Sequence, residues 1–293
     1  MRDETAMYDL ILGIASHDER IRAVYMNGSR TNANVPEDIF QDFDIVYVVT
    51  DTAPFIRDGS WVDVFGELVM MQEPDKNLER SGDEMDAYQS YGYLMFFKDG
   101  NRIDLHVQTK EAMVAEYGDD KLTVPLLDKD NCLPHIPAPT DVDYHVQPPT
   151  EQTFLRCTNK FWWCLQNVAK GIWRDELPYA KRMFEEIVRQ DLDEMVSWWI
   201  GVQYNFDVST GKMGKYFKRY LPGPYWEMYA ATYSNSDYEA FWNSIFVACH
   251  LFRVLANDVG HQFTYSYPAT DDENMTQYLS HVRTLPKDAS SIT

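Results

Sequence analysis

The sequence is poor in basic residues, cysteines and long apolar runs, and each shortage excludes a class of protein. Lysine and arginine number 26 against 46 aspartates and glutamates, a formal net charge of -20 over 293 residues. Such a chain repels nucleic-acid phosphates and the anionic face of a membrane, so neither is an expected partner. The same field gathers small cations, metal ions included, although solubility alone accounts for an acidic balance in many proteins. No apolar stretch approaches the ~20 residues that cross a bilayer. Met1 to Ser16 is acidic and amphipathic, with neither the basic nor the apolar region of a leader peptide. Cys132, Cys157, Cys164 and Cys249 form no C-x-x-C pair and no zinc spacing. They read as free, buried thiols in a reducing compartment, and a soluble cytoplasmic protein is expected. The seven histidines make no H-E-x-x-H or similar ligand pattern. Internal repeats and low-complexity tracts are absent as well.

What is present is the material of a packed core, with 45% hydrophobic and 14% aromatic residues. Ala6, Met7, Leu10, Ile11 and Ile14 recur at helical spacing and predict a helix from Glu4 to Ser16. Ile21 to Met26 reads as a buried strand, and Asp42 to Thr50 as a second, with Asp42, Asp44, Val46 and Val48 on one face. Leu68 to Gln72 predicts a further short strand. Tyr93 to Phe97, Asp99-Gly100 and Arg102 to Gln108 read as a hairpin, because Asp-Gly tolerates the positive φ of a primed turn. In its second strand Asp104 and His106 share the face opposite Ile103, Leu105 and Val107. Prolines 134, 137, 139, 148 and 149 then interrupt the pattern. Beyond them Phe154–Ala169, Leu177–Arg189, Leu192–Tyr204 and Tyr238–Leu255 carry helical periodicity. The expected class is α+β: a mixed sheet flanked by helices over 1–135, a proline-rich linker over 136–150, and a mostly helical domain over 151–293.

The chemistry concentrates between the first two strands. Gly28-Ser29 follows one strand and Asp42-Phe43-Asp44 heads the next. A Gly-Ser turn lets backbone N–H groups and a hydroxyl approach phosphate oxygens with no Cβ in the way. Two carboxylates two residues apart on a strand can share Mg²⁺, a hard cation that prefers oxygen ligands. A third strand-borne carboxylate, Asp104, is the candidate base for an acceptor hydroxyl. An isolated Asp-x-Asp is commonly a solvated strand end. The combination on apolar strands is specific, since buried acids are costly without cations or partners.

Gly28-Ser29-Arg30, Asp42-Phe43-Asp44 and Asp104 together resemble the signature of nucleotidyltransferases related to DNA polymerase β. Within that superfamily the chain resembles the bacterial aminoglycoside 6-adenylyltransferases, which inactivate streptomycin. The likeness runs through Asp18–Arg22, Gly28–Asn32, Phe40–Asp44, Phe65-Gly66, Met70–Gln72 and Leu127–Asp130, then Glu185–Arg189, Gly211–Lys215 and Lys218–Leu221. It implies a nucleotidyltransferase domain, a helical substrate-binding domain, and Mg²⁺-dependent transfer of AMP from ATP to a hydroxyl of a cationic aminoglycoside. It also implies Asp42 and Asp44 as metal ligands and Asp104 as base, with a share in the metal. Thr31 to Gln41, with Pro36 inside it, reads less like a helix than the corresponding stretch of the wider superfamily.

Transfer to another small alcohol, such as a lincosamide, and a non-catalytic nucleotide-binding module are the competing readings. In related enzymes a second-domain lysine reaches the triphosphate. Lys212 and Lys215 are the candidates here, with an exposed helical face as the alternative. Arg30 is a candidate phosphate donor. Glu176 is either a ligand for a cationic group of the acceptor or an acid at a helix start. Trp162-Trp163 and Trp198-Trp199 each read as one core and one surface aromatic, or as stacking platforms.

Overall fold

The computed structural model describes residues 1–76 and 89–292. The chain divides into two compact units, Met1–Asp143 and Tyr144–Thr293. The break falls inside the proline-rich stretch. Part of that stretch nevertheless belongs to the first unit: Ile136 packs on its core, and buried Asp141 accepts from Asn34 at 3.0 Å.

The first unit opens with α1 (Glu4–His17), capped by the Asp3 carboxylate on the Ala6 amide. Its strands are β1 (Ile21–Asn27), β2 (Phe43–Val49), β3 (Leu68–Gln72), β4 (Ser90–Phe97), β5 (Arg102–Thr109) and β6 (Val124–Asp128). The short helix α2 (Ala53–Arg57) follows β2, and α3 (Lys110–Glu116) follows β5. The strands form one sheet in the order β3-β4-β5-β2-β1-β6. Every neighbouring pair is antiparallel except β2 and β5, which run parallel in register, Asp44 opposite Asp104. A parallel pair begins at one end of the sheet, and equal parity puts Asp44 and Asp104 on one face.

The opposite face carries Phe43, Ile45, Tyr47, Tyr93, Met95, Leu105 and Val107, covered by Met7, Ile11 and Ala15 of α1. On the carboxylate face, Val46 and Val48 are buried with Ala23, Tyr25, and Met113 and Tyr117 at α3. Both faces of β2 are thus sealed towards its C-terminal end, while its N-terminal end keeps the acids.

The second unit is helical: α4 (Glu151–Trp173), α5 (Leu177–Arg182), α6 (Arg189–Gln203), α7 (Phe217–Tyr220), α8 (Gly223–Ala231), α9 (Tyr238–Phe263) and α10 (Ala269–Thr284). A capping box of Thr150 and Thr153 starts α4. Phe161 of α4 stacks on Phe252 of α9 at 3.7 Å in the core. The sequence predicts separate helices over Leu177–Arg189 and Leu192–Tyr204. The structure joins them into one rod through a π-helical turn, Met183–Val188. Asp191 lies in its second half, where Lys160 of α4 meets the buried carboxylate at 3.2 Å. All four cysteines are free; Cys157 and Cys249 are buried, and Cys132 and Cys164 only partly so. Among the described residues no helix is long and apolar enough to cross a membrane.

Candidate active site

The carboxylate face is assembled by the turn after β1. Gly28 takes φ 79, a left-handed value that favours glycine, and a Cβ there would lie 2.0 Å from Asp44 Oδ2. Glycine is therefore required twice over, by conformation and by approach. Ser29 opens a short 3₁₀ turn, Ser29–Thr31. The Thr31 hydroxyl locks that turn by meeting the carbonyls of Gly28 and Leu122, both at 2.9 Å.

Arg30, a candidate phosphate donor, faces the chain itself. Its Nε donates to the Asp42 carbonyl at 2.9 Å and its Nη2 to the Gln41 carbonyl at 2.8 Å. Its Nη1 meets Glu4 at 3.1 Å, and the guanidinium stacks over Phe43 at 3.8 Å. These contacts fasten the end of the Thr31–Gln41 loop, so that Asp42 emerges at the head of β2. The loop is not helical; Asn32 and Asn34 reach Asp141, and Phe40 is 86% exposed.

Ligand oxygens of Asp42, Asp44 and Asp104 all lie within 4.8 Å of one another. Burial, and then the charges of Asp42 and Asp104, push the Asp44 carboxyl up to about 7, against the opposing pull of Arg102. Asp120 adds to the same negative field. The guanidinium of Arg102 pairs side-on with Asp104, through Nε and Nη2, at 2.7 and 2.5 Å and lies 3.8 Å from Asp42. Three crowded carboxylates with an excess of negative charge and only oxygen donors fit a hard divalent cation such as Mg²⁺. A second group of possible ligands, Cys157, Asp191 and Glu194, lies in the helical unit, where Lys160 already neutralises Asp191.

The remaining candidates belong to the second unit. Lys212 and Lys215 are exposed, not on a helical face but around a 3₁₀ turn, Lys212–Gly214, bracketed by Gly211 and Gly214 at positive φ. Glu176 sits at the N-cap of α5 without a side-chain capping bond. It lines an open cavity of about 770 Å³ with Trp173, Arg174, Asp175, Tyr238 and Lys287. Trp162 is buried and Trp163 is 64% exposed, one core and one surface ring. Trp198 and Trp199 depart from that reading: both are buried, and Trp199 donates to Asp258 at 2.9 Å.

Sequence reasoning missed Arg102 and Asp120. Arg102 did carry a signal, because an Arg two residues before Asp104 on a strand must share its face. Asp120 lies in a loop and carried none.

A mixed sheet that brings a Gly-Ser turn against three clustered carboxylates defines a nucleotidyltransferase. The chain belongs to the streptomycin adenylyltransferase family, whose model matches residues 1–282. It is 40% identical to an aminoglycoside 6-adenylyltransferase of Campylobacter jejuni over 95% of both chains. It is 39% identical to one of Bacillus subtilis (strain 168), over 96% of this chain and 98% of that one. A crystal structure of an aminoglycoside 6-adenyltransferase from Bacillus subtilis shares 33% identity and a TM-score of 0.48, covering 97% of this chain and 100% of that one.

Proposed function

We propose that this protein transfers AMP from ATP to a hydroxyl of streptomycin or a related aminoglycoside, releasing pyrophosphate and inactivating the antibiotic. The observation that carries the reading is the convergence of Asp42, Asp44 and Asp104 beside the Gly28 turn. Asp42 and Asp44, with a share from Asp104, would hold Mg²⁺; when bound, the ion neutralises triphosphate charge and orders it for in-line attack. Gly28 and Ser29 offer backbone N–H groups and a hydroxyl to the phosphates. Asp104 takes the proton of the acceptor hydroxyl as that oxygen attacks the α-phosphorus. Lys212 and Lys215 are assigned to the nucleotide, and Glu176 to a cationic group of the acceptor. The net charge of -20 concentrates a polycationic drug near the protein, an effect that salt weakens. Free thiols and the use of ATP as donor support a cytoplasmic setting for the reaction.

Incubation of the protein with ATP, Mg²⁺ and streptomycin is expected to add one AMP to the drug, read by mass spectrometry. Pyrophosphate release with a lincosamide but with no aminoglycoside would move the acceptor to another class.

In this reading Arg30 acts through the backbone of Asp42. Arg30→Met is therefore expected to lower kcat about tenfold with a smaller change in the KM for ATP, measured by steady-state pyrophosphate release. A rise confined to that KM would instead mark a phosphate contact.

A further inference from the structure

Arg102 opens β5 with its side chain on the carboxylate face. Its Nε donates to Asp104 Oδ1 at 2.7 Å and its Nη2 to Oδ2 at 2.5 Å, the fork in which guanidinium and carboxylate fit best. The same Nε lies 3.8 Å from Asp42 Oδ2. Both oxygens of Asp104 are therefore engaged by one cation. Each oxygen keeps a second lone pair, but the attached positive charge lowers the basicity of the carboxylate and opposes a metal ion at the same group. Asp104 is a weak ligand and a weak base while the fork is closed.

The fork can open. The Arg102 side chain is 48% exposed, and its long stem roots at the first residue of an otherwise well-paired strand. An ion pair this accessible to solvent is weak and exchanges readily. A metal-bound triphosphate brings a cation for Asp104 and phosphate oxygens for the guanidinium. Both partners then trade one ionic contact for another.

We propose that Arg102 is a positioning residue for the transfer reaction: it holds Asp104 in reserve as the counter-ion of the three carboxylates, and moves onto the nucleotide's phosphates when ATP and its metal enter. The base is thereby released only in the loaded site. The inference rests on the proposed role of the carboxylates, and the test separates the two.

Mn²⁺, standing in for Mg²⁺, is titrated into the full chain without nucleotide, and free Mn²⁺ is read by electron paramagnetic resonance. Removing a competing cation is expected to tighten Mn²⁺ binding about tenfold in R102M, with R102Q read in parallel in case one variant fails to fold. D104N is expected to weaken binding. With ATP present, R102M is expected to raise the KM for ATP, and R102K to restore part of that loss. An arginine with a merely structural role would leave Mn²⁺ affinity unchanged or lowered. Wild-type affinity in whichever variant keeps a native circular dichroism spectrum overturns the proposal for Arg102 alone. Mn²⁺ affinity that is indifferent to D42N and D44N overturns the carboxylate assignment as well.

Discussion

Asp104→Asn is expected to lower turnover about 10³-fold, within the range of a lost general base. ATP affinity should fall far less than turnover, because Asp42 and Asp44 still hold the metal while the main task of Asp104 is the acceptor proton in the transition state. Asparagine keeps the shape of the side chain and one acceptor oxygen for Arg102, so the strand and its neighbours are preserved. It lacks the negative charge and basicity that draw off a proton. Pyrophosphate release gives the turnover, and calorimetric titration gives the affinity for ATP. A variant retaining more than about a tenth of wild-type turnover would remove Asp104 from the role of base, since general bases contribute at least about 10².

Gly28→Ala is the second change with a large expected effect, through a single methyl group. At φ 79 an L residue is strained, and the new Cβ would stand 2.0 Å from Asp44 Oδ2 and 2.9 Å from its Cγ. Asp44 cannot retreat: its backbone lies in the sheet between Asn27 of β1 and Asp104 of β5. Either the carboxylate rotates away from its two neighbours or the turn lifts off the sheet, and both separate the phosphate-binding turn from the acids. A displacement of this size is expected to reduce kcat/KM by about 10² or more. The associated strain should cost about 1–3 kcal/mol of stability. Kinetics and thermal denaturation measure the two effects independently. An alanine variant with wild-type kcat/KM would show that the turn and Asp44 need not touch.

The elements that place the site were legible because their patterns are strong. Alternation along β2 and β5 and the Asp99-Gly100 turn fixed which side chains share a face, and the structure keeps those faces. Pairing was a different matter. Nothing local states that β5 lies beside β2 and parallel to it, because strand order follows from the packing of α1 and α3 on opposite faces. The contacts of Arg30 were hidden for a related reason: a guanidinium after Gly-Ser suits phosphate, and only the returning loop shows it held by two backbone carbonyls. The helix α10 escaped notice although acids begin it and His281 and Arg283 end it. Its buried residues are only Asp272, Leu279 and Val282, too sparse for a periodic signal. Charge supplies the missing anchor, as Arg253 of α9 grips Asp272 at 2.5 Å.

The parallel register of β2 and β5 also makes catalysis a reporter of folding. A slip of one residue between these strands would send Asp104 to the apolar side and bring Ile103 or Leu105 beside Asp44. Such a misfolded chain would retain its strands and much of its compactness, so spectroscopy of secondary structure would barely notice it. It would have no site. Recovery of activity after denaturation therefore counts the molecules whose sheet has closed in the correct register.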